Sequence, residues 1–425
     1  MLALSEQWAN PGDVFSVLLL LGGDVINRAL AQLAGTKNRI TPVAFSFAWR
    51  ITPPNQIVDP STPDQGSWVA YSVTALLSAV GENKLMPGPD TSCLVINGAS
   101  GYVRQNYSWT VARLVRDFDY WMDARIRTQL KAMLSRKWDE NRAAATARCS
   151  AANPDAKAHC DASRAVPQPR QAGLCVSVFA AKAAHPAPPE PDPVYLSGLA
   201  TPVVQLGIAA VPCGLYADWA VLAITGAGIL MALATGLLPQ WRREKWACRR
   251  QSDKRIVLTR GNGAQHAIVI LGEGTGLDLE DLAAGPANLD MSASYLTLAS
   301  ATVLSALWIA LLITAAGLKE HTWFLVAVGG IGMLQNIFVA GARRTPEAVG
   351  LPLEFKEVIC ETKVLNTLLE VERKYPRLGR SMSDTFFPGG RFTQDELVRW
   401  REVEAPEEGI LESESSSMRD GPRRI

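Results

Sequence analysis

The chain has 425 residues, 42 Lys plus Arg against 41 Asp plus Glu, and a mean hydropathy of only +0.06. That charge balance leaves no global positive field of the kind nucleic-acid binding relies on, and the hydropathy says that apolar runs are diluted by much polar chain. Seven cysteines, an odd set with no Cys-x-x-Cys pair, argue against both a disulfide framework and a zinc ribbon.

Met1 to Asp13 carries acids and no Lys or Arg, so the apolar stretch after it lacks the basic start of a secretory signal and reads as a retained first span, Val14 to Ala34. Asp24 and Arg28 stand one helical turn apart in it, beside Asn27. An ionisable pair in a bilayer is expensive, so these residues, with Gln335 of a later span, form a candidate intramembrane polar site. The other reading is a structural ion pair near the interface. The second span is broken: Val43 to Phe47 and Trp68 to Val80 are separated by Ala48 to Ser67, which holds Pro53, Pro54, Pro60 and Pro63.

Cys93 to Asn97 reads as a short strand ending in the turn Gly98-Ala99-Ser100-Gly101. Trp109 to Arg142 reads as one long helix, with Val111, Leu114, Val115, Phe118, Trp121 and Met122 at three- and four-residue steps. Arg113, Arg116, Asp117, Asp119, Asp123 and Arg125 read as a solvated, ion-paired face of it. Residues 143–194 are rich in Ala and Pro and read as a linker, with Leu174 to Phe179 as a strand-like island.

The third span is Tyr195 to Leu215, containing Pro202 and Pro212, and the fourth is Trp219 to Leu238. A basic block follows, and Arg242, Arg243, Lys245, Arg249 and Arg250 in it act as topology determinants that place this end in the cytoplasm. Ile256 to Arg260, then Gly261-Asn262-Gly263, then Ala267 to Leu271 is a β-hairpin signal, with positive φ expected at Asn262 and its flanking glycines. Gly272-Glu273-Gly274-Thr275-Gly276 has the outline of a phosphate loop, but its acidic surroundings favour a plain loop. His266 reads as a packed or surface histidine.

The fifth span, Tyr295 to Gly317, has no charge, and the sixth, Thr322 to Ala342, ends at Arg343 and Arg344. Gly228, Ala232 and Gly236 on the fourth span, and Gly329, Gly330 and Gly332 on the sixth, are small-residue notches for close packing, or for a homodimer seam. Glu354 to Tyr375 reads as an amphipathic helix, and the Glu- and Ser-rich tail beyond Trp400 as disordered.

The predicted organisation is mainly α: a six-helix transmembrane bundle with a small cytoplasmic α+β domain built from two loops. An N-terminal hairpin takes 1–80, the strand and helix 81–142, the linker 143–194, further hairpins 195–241 and 295–342, and the basic segment with the β-hairpin 242–294. The amphipathic helix follows in 343–400 and the tail in 401–425. In a second layout, with an odd number of spans, 85–194 is exported and the Asn106-Tyr107-Ser108 sequon is open to glycosylation.

At Leu238 to Trp246, at Thr259 to Gly272 and at Ala327 to Asn336 the chain resembles a group of filamentous-fungal multi-pass membrane proteins. The resemblance implies a class but no activity and no catalytic residues. It also implies that Val43 to Phe47 should run directly into Trp68 to Val80, so that Ala48 to Ser67 is either a retained intron or a real surface loop. The function expected is a non-enzymatic scaffold or regulatory protein, or alternatively a small-solute or ion transporter. Expected partners are the lipid bilayer and a cytoplasmic protein, without nucleic acid or cofactor.

Overall fold

The computed structural model describes residues 23–35, 41–42, 44–46, 85–152, 166–182, 192–285, 294–390 and 392–404. The Ala48 to Ser67 insert, Trp68 to Val80, the Val14 to Gly22 part of the first span and the acidic tail lie outside the described residues, as does the side chain of Asp24.

Four helices are long and apolar enough to cross a membrane: Pro193–Tyr216, Ala220–Lys245, Tyr295–Ala316 and Thr322–Gly341. They coincide with the third to sixth predicted spans. The second of them is two helices in line, α6 (Ala220–Gly236) and α7 (Pro239–Lys245), because Pro239 lacks the N–H that would continue the ladder. We call the others α5, α9 and α10, and Gly23–Leu33 is α1. At about 1.5 Å per residue α5 is roughly 36 Å long, a full hydrocarbon thickness. Leu199, Val203, Leu230, Val303, Ile313 and Leu334 are exposed on these helices, a pattern suited to lipid and costly in water. At the end away from the rest of the chain, the Tyr216 and His321 rings stack 4.3 Å apart near exposed Trp219 and Trp323, an aromatic girdle of interfacial type.

The polar remainder folds as a three-layer sandwich. Its six-stranded sheet has the order β2-β1-β4-β5-β3-β6, from β1 (Leu94–Asn97), β2 (Val103–Gln105), β3 (Leu174–Ala181), β4 (Arg255–Thr259), β5 (His266–Leu271) and β6 (Leu353–Glu361). All pairings are antiparallel except β3 with β5. The central strands are continuous Ile/Val/Leu runs because both faces are covered. Cys175, Phe179, Ile256, Leu258, Ile268 and Ile270 face α2 (Trp109–Arg116), α3 (Phe118–Trp121), α4 (Ala124–Ala152) and α8 (Leu279–Ala284). Val176, Val178, Val257, Ala267 and Val269 face α12 (Val364–Lys374), α13 (Leu378–Phe386) and a final helix at 394–404, whose Trp400 is buried.

Several expectations change. The predicted Trp109 to Arg142 helix is three helices that turn at Asp117 and at Met122, where the backbone is extended, and the last of them runs on to Ala152. Arg113 and Asp117 on its predicted solvated face are buried. Glu354 to Tyr375 is not one helix: its first half is β6, whose charges mark a protected sheet edge, and only Val364–Lys374 is helical. The domain therefore comes from three chain segments and not from two loops. Residues 44–46 are not helical, so the described part of the broken second span is no helix.

The shared sheet also decides between the two layouts. Strands from 94–181, 255–271 and 353–361 pair with one another, so all three segments lie at the same end of the helices. Residues 85–182 cannot be exported while the hairpin stays inside. Asn106 is buried and donates from Nδ2 to the Ser108 carbonyl at 2.8 Å, so the sequon is not presented.

The β4–β5 turn has positive φ at Gly261 (97°) and Gly263 (82°) but not at Asn262. At Gly263 nothing stands within 4 Å of an added Cβ, so a substitution there meets only backbone strain. Gly263→Val should lower domain stability by about 1–2 kcal/mol, the cost of a β-branched residue in the left-handed region. Thermal unfolding measures it, and insertion of the spans should be unchanged.

Candidate functional site: the junction between helices and sandwich

The ends of α1, α6 and α10 and the start of α5 meet under the sandwich. Backbone carbonyls at a helix C-terminus have no partner inside the helix and must find donors elsewhere. Lys245 supplies them for α1: its Nζ, buried, donates to the carbonyls of Ala31 (3.0 Å), Gln32 (3.4 Å) and Ala34 (2.8 Å). Trp246 Nε1 adds a bond to the Gly35 carbonyl at 3.0 Å. For α10, Arg113 donates to the Ala340 carbonyl at 2.8 Å and Arg116 to the Ala342 carbonyl at 3.1 Å, both reaching across from α2 of the sandwich.

The cations are balanced from both sides. Asp90 pairs with Arg113 at 2.9 Å and Arg116 at 3.3 Å, and Arg113 lies over the Trp109 ring at 4.6 Å. Burial pulls the Arg113 guanidinium down to about 10, so it stays charged at neutral pH. Asp117 accepts from Arg116 at 2.7 Å and from the Arg344 backbone N–H at 3.2 Å. Arg344 in turn pairs with Asp192 at the start of α5 (2.7 Å) and donates to the Gln32 carbonyl (3.0 Å). Glu244 accepts from the Leu85 and Met86 amides at 2.7–2.8 Å and from Gln240, fixing the chain's entry into the sandwich.

A second polar arrangement lies among the helices. Residues 41–42 and 44–46 enter between them without forming a helix, at the glycine notches. A Cβ at Gly228 or Gly332 would collide with Phe45, one at Gly236 with Thr41, and one at Gly198 with Pro42. The small residues thus seat this segment, with Phe45 stacked on Trp308 at 6.0 Å. Its backbone is satisfied by side chains. Gln205 donates to the carbonyls of Phe45 (2.6 Å) and Val328 (2.9 Å), Asn336 to the Ala44 carbonyl (3.3 Å) and Ser46 Oγ (3.0 Å), and Thr41 Oγ1 to the Gly236 carbonyl (3.0 Å). Irregular backbone at such depth is tolerated only when enclosed by protein in this way.

The predicted site residues are not brought together as a single constellation. Arg28 is exposed and has no ion pair among the described residues; Asn27 is half-buried; Gln335 is buried, with neither amide atom hydrogen-bonded. The basic block divides. Lys245 is internal, Arg249 pairs with Asp278 (3.0 Å) and Asp281 (2.6 Å), and Arg242, Arg243 and Arg250 remain exposed. In the Gly272 to Gly276 loop, four of the five amides, those of Gly272, Gly274, Thr275 and Gly276, are bonded within the protein, so the loop has no set of amides with which to cradle a phosphate. His266 is packed against Phe118 at 5.2 Å, and burial lowers its pKa. Among the described residues, no group of three His, Cys, Asp or Glu could hold a metal ion. Burial raises the thiol of Cys93 to about 12, and a hydrogen bond with Cys360 together with burial lifts that of Cys175, so both are packed groups held as thiols.

Sequence reasoning passed over Gln205, Asn336, Glu244 and Arg344 as a set. The available signal was a neutral amide or a charge inside or just beyond an otherwise apolar helix. No family model, curated protein or solved structure matches the chain. The class is therefore defined by architecture alone: a mainly helical chain with four apolar helices of membrane-crossing length and a mixed-sheet sandwich at one end of them.

Lys245→Met should cost about 2–3 kcal/mol, because three buried carbonyls lose their donor while the side-chain volume is kept. Thermal unfolding of the full chain in detergent reads the effect. A loss below 0.5 kcal/mol, the range of ordinary surface changes, would mean that the cap is not structural.

Proposed function

We propose that this is a six-span integral membrane protein whose sandwich lies in the cytoplasm and works as a non-enzymatic scaffold or regulatory element. Four apolar helices support the membrane reading. Arg242, Arg243 and Arg343, exposed where α7 and α10 leave the apolar zone, support the cytoplasmic side, since basic residues accumulate there. The observation that carries the regulatory reading is the junction. Arg113 and Arg116 of the sandwich cap α10, and Lys245 at the end of α7 caps α1, so a shift of either helix end must move α2 and the 85–90 segment.

Coupling of this kind is measurable by hydrogen exchange on the full chain in lipid nanodiscs. In Gly332→Ala the new Cβ would collide with the Phe45 carbonyl oxygen, so the chain at residues 44–46 must shift, at a cost of about 1–3 kcal/mol. Exchange should rise in the segment and also in α2 and residues 85–90 of the sandwich. Changes confined to the helices would leave the sandwich a passive attachment and defeat the regulatory reading.

A second reading, a small-solute or ion transporter, is favoured by Gln335. Its amide is buried in α10 with neither atom bonded, a costly state that a polar solute would relieve. Were this the function, a solute would raise Tm in the wild type and fail to do so in Gln335→Leu; no response across amino acids, sugars and inorganic ions would discard it.

A further inference from the structure

We propose that Arg242, Arg243 and Arg343, with Arg28 below them, form a binding surface for the phosphate of an anionic phospholipid headgroup in the leaflet next to the sandwich. The inference rests on the membrane reading above and adds the chemistry of the lipid.

The junction sorts its cations into two sets. Arg113, Arg116 and Arg344 each meet a carboxylate, and Lys245 is consumed by helix carbonyls. Arg242, Arg243, Arg343 and Arg28 are exposed, and no ion pair joins any of them to a described residue. The neighbouring carboxylates among the described residues are already used. Asp90 and Asp117 hold Arg113 and Arg116, Asp192 holds Arg344, and Glu244 is turned inward to the Leu85 and Met86 amides. Glu347, four residues beyond Arg343, is the exposed acid nearest to it in sequence.

These four arginines surround one structural point, the end of α1. An added Cβ at Gly35 would lie 3.4 Å from the Arg242 Cα, which places α7 against that end on one side. Arg344 bonds the Gln32 carbonyl and Gln32 bonds the Ala342 carbonyl, which places Arg343 against it on another. Arg28 lies five residues before Leu33 on α1, about 7.5 Å deeper, a distance an arginine side chain spans by reaching towards the interface. A guanidinium binds phosphate oxygens through paired N–H groups, and several guanidinium groups at headgroup level favour a phospholipid of net negative charge over a zwitterionic one that carries the same phosphodiester.

The test uses the full chain in nanodiscs of phosphatidylcholine alone and of phosphatidylcholine doped with phosphatidylserine. Lipid retention is read by native mass spectrometry and Tm by thermal unfolding. The wild type should retain phosphatidylserine selectively and show a higher Tm in its presence. The triple variant Arg242→Gln/Arg243→Gln/Arg343→Gln should lose about tenfold or more in that retention. Its Tm in phosphatidylcholine alone should match the wild type, since none of the three side chains makes a bond in the fold. Unselective retention, unchanged phosphatidylserine retention in the triple variant, or equal stabilisation by inorganic phosphate would overturn the proposal. A chain that stayed in the aqueous phase without detergent would instead overturn the membrane reading on which it rests.

Discussion

The structure depends on one demand: backbone carbonyls that end inside protein must receive hydrogen bonds. Helices α1 and α10 stop at a common level, covered by the sandwich, where water cannot satisfy their last turns. The chain meets this with cationic donors drawn from elsewhere, Lys245 for α1 and the Arg113–Arg116 pair for α10. The arginines bring charge, and with it Asp90 and Asp117 beside Arg113 and Arg116, and Asp192 beside Arg344. The result is a polar layer whose members come from five separate parts of the sequence. Removing one leaves the others buried without partners, the situation in which loss exceeds the worth of any single bond.

The same demand explains the interior of the bundle. The non-helical residues 44–46 offer carbonyls in an apolar setting, and Gln205 and Asn336 stand there as donors. Glycines at 228, 236 and 332 are small because backbone and an aromatic ring pass over them. These three glycines thus make room for irregular chain and not for the close approach of a second helix.

The third to sixth spans, the β-hairpin and the strand at Leu174 were legible because each is a local pattern: an uninterrupted apolar run, or alternating β-branched residues around glycine. The plain-loop reading of Gly272 to Gly276 was legible too, from its acidic neighbours. The break in the helix after Trp109 was not, since Asp117 leaves the helical path to meet Arg344 over two hundred residues away. Nor was β6, where Leu353 to Glu361 shares its apolar spacing with a helix and is held extended only by pairing with β3. Lys245 was hidden for a related reason. In sequence it belongs to a basic cluster that marks topology, and only the fold separates it from Arg242 and Arg243 by turning it towards α1.

The order of strands carries a consequence for how the molecule is made. β3 lies between β5 and β6, and its partners emerge from the ribosome only after one helical hairpin, and then a second, has been synthesised. The sheet is therefore closed by non-local contacts, the slowest kind to form. Until β6 arrives, β3 is an apolar edge of eight residues that invites pairing with any other exposed strand. Assembly of the sandwich thus reports that both hairpins are in place, and a chain arrested between them would present a sticky, incomplete sheet to whatever quality control surveys it.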